Sequence, residues 1–366
     1  MRTVLGMLGI AMVTALTGAA RAQDADAPRV ENAQVEKRLL RTPLAEEVKN
    51  WTAQSEQPEW LGYAVPQIGR ERIMCCGDYG GSWGNGCGRC RLEDGDKGTN
   101  ISSHDQAGVT KLEAPRSIAV LFRAENKQVM KIRVVSMDCA LDAGGLHFVW
   151  LSEVRPADSV ALLETFVHGA DLAARDNEHF AHGALTAIAL HADPAADRAL
   201  ESFTRDAQPE SLRKQTAFWL GAAREKSGLA LLEKMAKSDP SPEVRSQVTF
   251  ALSLSHEPGA VEEMIRMAHD DQSTHVRGQA LFWLAQKAGQ KALSAITGAI
   301  ENDPDTDVKK KAVFALSQLP KDEGVPKLIE VAQNNRNREV RKQAMFWLGQ
   351  SHDPRALAFF EKILTQ

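Results

Sequence analysis

A 32-residue period in the C-terminal half limits what this chain can fold into more than any other feature. Steps of 32 align Leu212, Val244, Val276, Val308 and Val340. The same step aligns Phe218, Phe250, Phe282, Phe314 and Phe346, and again Leu220, Leu252, Leu284, Leu316 and Leu348. Self-similarity at this spacing marks stacked units, none of which buries its apolar face alone. Each unit holds two helical stretches. Val244, Val248, Ala251 and Leu252 fall at i, i+4, i+7 and i+8, one face of a helix. Leu231, Leu232, Met235 and Ala236 do much the same in the preceding stretch. Between stretches stand Asp239-Pro240-Ser241-Pro242, Asp303-Pro304-Asp305 and Asp353-Pro354, where Asp or Ser caps the next helix and proline suits its first turn. A looser copy covers 178–206, and 157–167 reads as one more helix. The expectation is a mainly α chain, an α-solenoid of about thirteen helices in about six units of 30–32 residues over 157–366.

The segments Asp239-Pro-Ser-Pro-Glu-Val-Arg, Asp303-Pro-Asp-Thr-Asp-Val-Lys and Asn337-Arg-Glu-Val-Arg-Lys-Gln-Ala resemble HEAT repeats of the bacterial, phycobilisome-lyase type. The resemblance implies a scaffold or protein-binding surface. Some proteins with such repeats are phycobilin lyases, but no lyase residue can be carried onto this sequence. HEAT arrays serve many unrelated tasks, so function must be read from particular residues.

Three columns of the repeat are candidates. Arg213, Arg245, Arg277, Lys309 and Arg341 follow the apolar column by one residue. They read as a ladder to the turn residues Asp239, Asp271 and Asp303 rather than as a strip for acidic partners, because cation and Asp recur together. Trp219, Trp283 and Trp347 alternate with Ala251 and Ala315, about 20° off the buried centre, which favours core packing over a binding row. The candidate groove wall is a polar stripe: Gln215, Gln247, Gln279, Lys311 and Gln343, joined by Gln286, Gln318 and Gln350. These amides either bond neighbouring backbones or line a groove for an extended protein partner. Phe359, Phe360, Ile363 and Leu364 make the final helix strongly apolar, which raises self-association there or a partner docked on that end.

Residues 23–150 lack the period. A helix at 43–54, strands at 60–65, 117–123, 129–136 and 147–151, and a hairpin at Glu-Asn-Lys-Gln predict a small α+β domain with an antiparallel sheet. All five cysteines lie here, and Cys75, Cys76, Cys87 and Cys90 share a Gly-rich loop, with Cys139 further on. Disulfides stapling a loop without a core are the first reading, Cys139 pinning the hairpin to the loop. A zinc site built on Cys87-Gly-Arg-Cys90 is the second, with zinc the one cofactor the sequence leaves open. Thiol redox chemistry is the third. Haem attachment fails because Arg91, not His, follows Cys90. His179 and His182 read as a solvated pair. No phosphate loop, nucleophile elbow, Rossmann fingerprint or zinc-protease motif occurs.

Residues 1–22 read as a signal peptide: Arg2, an apolar run from Val4 to Leu16, and Ala20-Arg21-Ala22, with cleavage between Ala22 and Gln23. Its removal leaves 42 basic against 48 acidic residues, a mild net charge of −6 that offers no footprint for nucleic acid. No membrane span follows the leader. The chain is expected to be periplasmic or secreted and to bind protein through the repeat groove, or else to act as an accessory factor through its cysteines.

Overall fold

A computed structural model describes residues 27–69, 89–93, 116–137, 139–170, 172 and 178–365. Its first part contains β1 (Val30–Glu31), β2 (Gln34–Leu39), α1 (Leu44–Gln54), β3 (Glu59–Pro66), β4 (Arg89–Arg91), β5 (Ser117–Glu125), β6 (Gln128–Ser136), β7 (Ala140–Asp142) and β8 (His147–Ser152). Five strands form one sheet in the order β2-β8-β3-β5-β6. The expected antiparallel sheet is in fact mixed. β3, β5 and β6 are antiparallel neighbours, but β8 enters between β2 and β3 and runs parallel to both. The tight β5–β6 hairpin must be antiparallel. A strand that returns by a long connection has no such constraint on its direction.

The hairpin turn falls where the sequence places it. Asn126 and Lys127 have φ of 52° and 61°, the left-handed pair that a two-residue turn matched to strand twist requires. β2, reading Gln-Val-Glu-Lys-Arg-Leu, is an edge strand with most side chains in solvent, so it carries no apolar alternation to betray it. A second, three-stranded parallel sheet, β1-β7-β4, consists of strands too short to show any period. Both faces of the larger sheet are covered. Leu61, Tyr63, Val120 and Phe122 join the helical core, while Trp60, Leu121, Phe148 and Trp150 pack with Cys90, Cys139 and Leu141 over the smaller sheet.

Among the described residues thirteen helices follow: α2 (Pro156–Val167), α3 (Glu178–Leu190), α4 (Pro194–Phe203), α5 (Glu210–Ala223), α6 (Glu225–Ser238), α7 (Pro242–Leu254), α8 (Gly259–Asp270), α9 (Thr274–Ala288), α10 (Gln290–Asn302), α11 (Thr306–Ser317), α12 (Lys321–Asn334), α13 (Arg338–Gln350) and α14 (Pro354–Leu364). The turn chemistry acts as expected. The side chains of Asp193, Ser241, Asp305, Asn337 and Asp353 accept backbone N–H bonds at helix starts, and Pro194, Pro242 and Pro354 occupy first turns. The apolar columns are sealed: Leu212, Val244, Val276, Val308 and Val340 are all fully buried.

α5, α7, α9, α11 and α13 lie side by side in close contact, whereas α6, α8, α10, α12 and α14 touch one another sparsely. The close row is therefore the inner row of the array. At the other end, the larger sheet is fused to the first helices. Ile68 N–H donates to Leu190 O at 2.8 Å and Ala192 N–H to Pro66 O at 2.9 Å. Gly183 of α3 lies so close to β6 that a Cβ there would sit 1.9 Å from the carbonyl oxygen of Ile132. One hydrophobic core runs unbroken from Leu44 to Phe359. No helix among the described residues is long and apolar enough to cross a membrane.

Candidate interaction surface

The inner row is held in register by charge. Arg213 donates Nε and Nη2 to the two carboxylate oxygens of Asp239, at 2.8 and 3.2 Å. Arg245 does the same to Asp271 (2.8 and 3.1 Å) and Arg277 to Asp303 (2.8 and 3.1 Å). Each pair spans 26 residues, so every rung clamps one helix to the turn that starts the next member of its row. The Nη1 of each arginine points the other way, onto a carbonyl of its own turn: Gln208, Asp239 and Asp271 at 2.6, 2.8 and 2.8 Å. The arginine column is thus a ladder to the turn aspartates. At the next position both partners change together: Lys309 stands where arginine would, and Asn335 where aspartate would. Lys309 bonds Glu301 O instead, at 2.8 Å.

With the apolar and arginine columns committed to the interior, the inner row shows a third column outward. Phe218, Phe250, Phe282 and Phe314 are half-buried and Phe346 is exposed. Their rings touch across the helices. Phe218 stacks on Phe250 at 6.2 Å and Phe282 on Phe314 at 5.9 Å. Trp283 leans onto Phe250 at 4.7 Å and Trp347 onto Phe314 at 4.9 Å, and each also meets the Phe before it in sequence. With Trp219 against Phe218 at 5.1 Å, the rings form an unbroken aromatic ribbon along five helices. The ribbon explains the Trp/Ala alternation. Trp283 and Trp347 each reach back over the preceding helix of the row, the one that carries Ala251 or Ala315. Trp219 is core, as the sequence suggests, but Trp283 and Trp347 sit at the core's edge, half open.

The glutamine stripe flanks this ribbon. Gln215, Gln247, Gln279 and Gln343 each precede their Phe by three residues, so they share its helix face. All four are half-buried and make no side-chain hydrogen bond to any described residue. Lys311, exposed, takes the place of glutamine on α11, while Gln286, Gln318 and Gln350 are exposed, and Gln318 bonds only Ser317. The surface therefore combines broad apolar rings with amides whose donors and acceptors are free. The sequence shows the Phe column in perfect register, yet it lies about 120° from the buried centre, and only the stacked array shows its rings converging.

The other sequence candidates fare differently. Cys75, Cys76 and Cys87 lie outside the described residues, as do Ala22 and Gln23. Cys90, on β4, and Cys139, just before β7, are fully buried in one cluster, and neither is free. His182 corrects the picture of a solvated pair: it is buried and its Nε2 meets Leu172 O at 3.1 Å, because α3 is covered by neighbours and not exposed. A group of polar residues that the sequence does not bring together appears at the joint of sheet and array. Tyr63 Oη lies 2.8 Å from Ser159 Oγ, which lies 3.0 Å from His191 Nε2. A serine on a histidine suggests a nucleophile and its base. All three side chains are sealed from solvent, however, so no substrate reaches them. Burial holds the His191 imidazolium back, pulling its pKa down to about 4, and pushes the Tyr63 phenol upward. The buried Arg224 guanidinium bonds His191 O at 2.6 Å and Asp197 at 2.7 Å, tying α4 and α5 to the same joint. The group is an interior polar clasp.

A family description for HEAT repeats matches residues 198–285, 261–344 and 293–366. No curated protein matches the chain. Among solved structures, the complex of CpcE and CpcF of phycocyanin lyase from Nostoc sp. PCC7120 is 20% identical, covering 42% of this chain and 99% of that one, with a TM-score of 0.33. Human deoxyhypusine hydroxylase is 16% identical over 57% of this chain and 90% of that one, with a TM-score of 0.27. The YibA protein of Escherichia coli is 23% identical over 58% and 79%, with a TM-score of 0.36. From residue 198 to residue 366 this chain is an array of HEAT repeats.

Proposed function

We propose that this chain is an exported, non-enzymatic scaffold that holds an extended segment of a partner protein along the inner row of its repeats. The aromatic ribbon flanked by unbonded glutamines carries the reading. Half-exposed aromatic rings supply rigid apolar contact area, and free amides match the exposed N–H and C=O groups of an extended chain. The sheet that covers the first helices would keep the array from stacking on that side. Export follows from the leader, and an oxidising compartment suits buried, unfree Cys90 and Cys139 in a disulfide framework. Intact mass of the exported protein, with and without reductant, tests cleavage before Gln23 and counts the disulfides. A full-length mass, or no mass gain on reduction, removes that part of the proposal.

The binding reading is tested by Phe250→Asn with Phe282→Asn, positions that are only half-buried. The double variant should keep its helical circular dichroism and lose at least about tenfold in affinity for a partner isolated by crosslinking from cell envelope. Undiminished affinity places the partner elsewhere on the molecule.

A further inference from the structure

The ends of α3 and α7 each turn a pair of backbone carbonyls toward a cation on the second helix after them. Arg224 Nη1 donates to Ala189 O and His191 O, at 3.3 and 2.6 Å. Two repeats further on, Lys287 Nζ donates to Ser253 O and Ser255 O, at 2.7 and 2.5 Å. Each cation follows the tryptophan of its helix, Trp219 or Trp283, by about one turn. The same step leads to Ser317 and Leu319 at the end of α11, and to Trp347 on α13. Here the residue in the place of Lys287 is Ser351, whose hydroxyl turns back onto Leu348 O at 2.7 Å. No described residue donates to Ser317 O or Leu319 O. Instead a cavity of about 160 Å³ opens there, with Ser317, Leu319, Val325, Leu328, Trp347 and Ser351 in its lining. It lies between the pair α11 and α12 and the inner helix α13 of the next unit, so the elements that wall it are all described. The Nε1–H of Trp347 is buried and meets no acceptor among the described residues.

We propose that this cavity receives a lysine side chain of the partner segment that lies along the inner row. The proposal rests on the reading of that row as the interaction surface. Carbonyls at the end of α11 carry the negative end of the helix dipole and only accept hydrogen bonds, so they call for a cationic donor. Trp347 beside them favours a cation as well, and Val325 and Leu328 suit a methylene stem. An ammonium fits better than a guanidinium. Arg224 also holds Asp197 at 2.7 Å, but the corresponding residue is Val261 near Lys287 and Val325 here, and no carboxylate lines the cavity. Lys321, the one cation among the lining residues, is exposed. Trp347 belongs to the aromatic ribbon and to the cavity wall alike, so a segment laid on the ribbon passes the opening. A backbone carbonyl of that segment would take the Trp347 N–H.

The probe is Nα-acetyl-lysine N-methylamide, which carries an ammonium and two amide carbonyls. The indole N–H signals of the protein labelled with ¹⁵N-tryptophan report its binding, that of Trp347 being assigned from Trp347→Phe. The Trp347 signal should shift saturably below about 10 mM probe. The norleucine analogue, which lacks the ammonium, should bind at least about tenfold more weakly, and the arginine analogue several-fold more weakly. Ser351→Lys restores the side chain that the earlier unit has, at a half-buried position, and should abolish the shift while leaving the helical circular dichroism unchanged. Lys321→Gln should bind the probe at least as tightly, since only the charge at the rim is lost. The Phe250→Asn, Phe282→Asn variant should respond normally, so failure of the groove reading leaves the cavity's preference standing. Equal affinity for the norleucine or arginine analogue, a shift that survives Ser351→Lys, weaker binding in Lys321→Gln, or no saturation overturns the proposal.

Discussion

Asp239, Asp271 and Asp303 each use one carboxylate twice, accepting a backbone N–H of their own turn and the fork of an arginine 26 residues earlier. The pairs are almost wholly buried, so losing one partner strands a charge in the interior. Asp303→Ala should cost about 3 kcal/mol in denaturant unfolding. The Lys309 and Asn335 position suggests how the molecule changes a rung without stranding a charge: both partners are exchanged. Arg277→Lys with Asp303→Asn should therefore cost less than the sum of the two single changes. An additive result means the two residues do not act as a pair. His191 gives a pH signature. Its folded pKa of about 4 lies below the ordinary histidine value near 6.5, so the unfolded chain binds the proton first. Its contribution to stability is complete above about pH 6.5 and falls away towards pH 4, by about 3 kcal/mol in all. His191→Gln should flatten that part of the stability profile, and an unchanged slope would show that the imidazole takes up its proton alike in the folded and unfolded chain. The arginine rungs were legible in sequence because cation and aspartate recur at one spacing. The clasp of Tyr63, Ser159 and His191 was not: its members are 96 and 32 residues apart and meet only through packing.

Elements divide in the same way. Helices with a 3.6-residue period, proline-marked starts and an Asn-Lys hairpin turn announce themselves locally, and the helices expected at 43–54 and 157–167 are met within one residue at each end. β2 and the strands of the smaller sheet do not, since a polar edge strand and two- or three-residue strands carry no hydrophobic period. Nor does the parallel placement of β8, which depends on a long return connection. The contact of α3 with β6 is the element-scale weak point. Gly183 brings the helix against the backbone of Ile132, where nothing flexible can yield. Gly183→Ala should cost about 3 kcal/mol, at the upper end for overpacking. Hydrogen exchange should localise the loss to β5, β6 and α3, with α9 to α13 protected as before, because distant repeats contact only their neighbours. Uniform loss of protection would mean that the array responds as one unit.

On the scale of the whole molecule, the sheet covers one end of the helical array, the rungs fix its register, and the inner row turns its Phe and Gln residues outward together with Trp283 and Trp347. The period foretold the array, and the glutamine stripe pointed to the inner row. The ribbon beside it became visible only when five helices were laid side by side, since each helix alone shows one aromatic off its core face. Photocrosslinking by position asks most directly which face meets the partner. A benzophenone amino acid placed in turn at Gln215, Gln247, Gln279 and Gln343 should trap one partner of constant mass. The same group at Lys237, Glu262 and Glu301 on the outer row, all exposed, should trap none. Crosslinks confined to the outer row, or equal on both rows, would contradict the proposal that the inner row is the interaction surface.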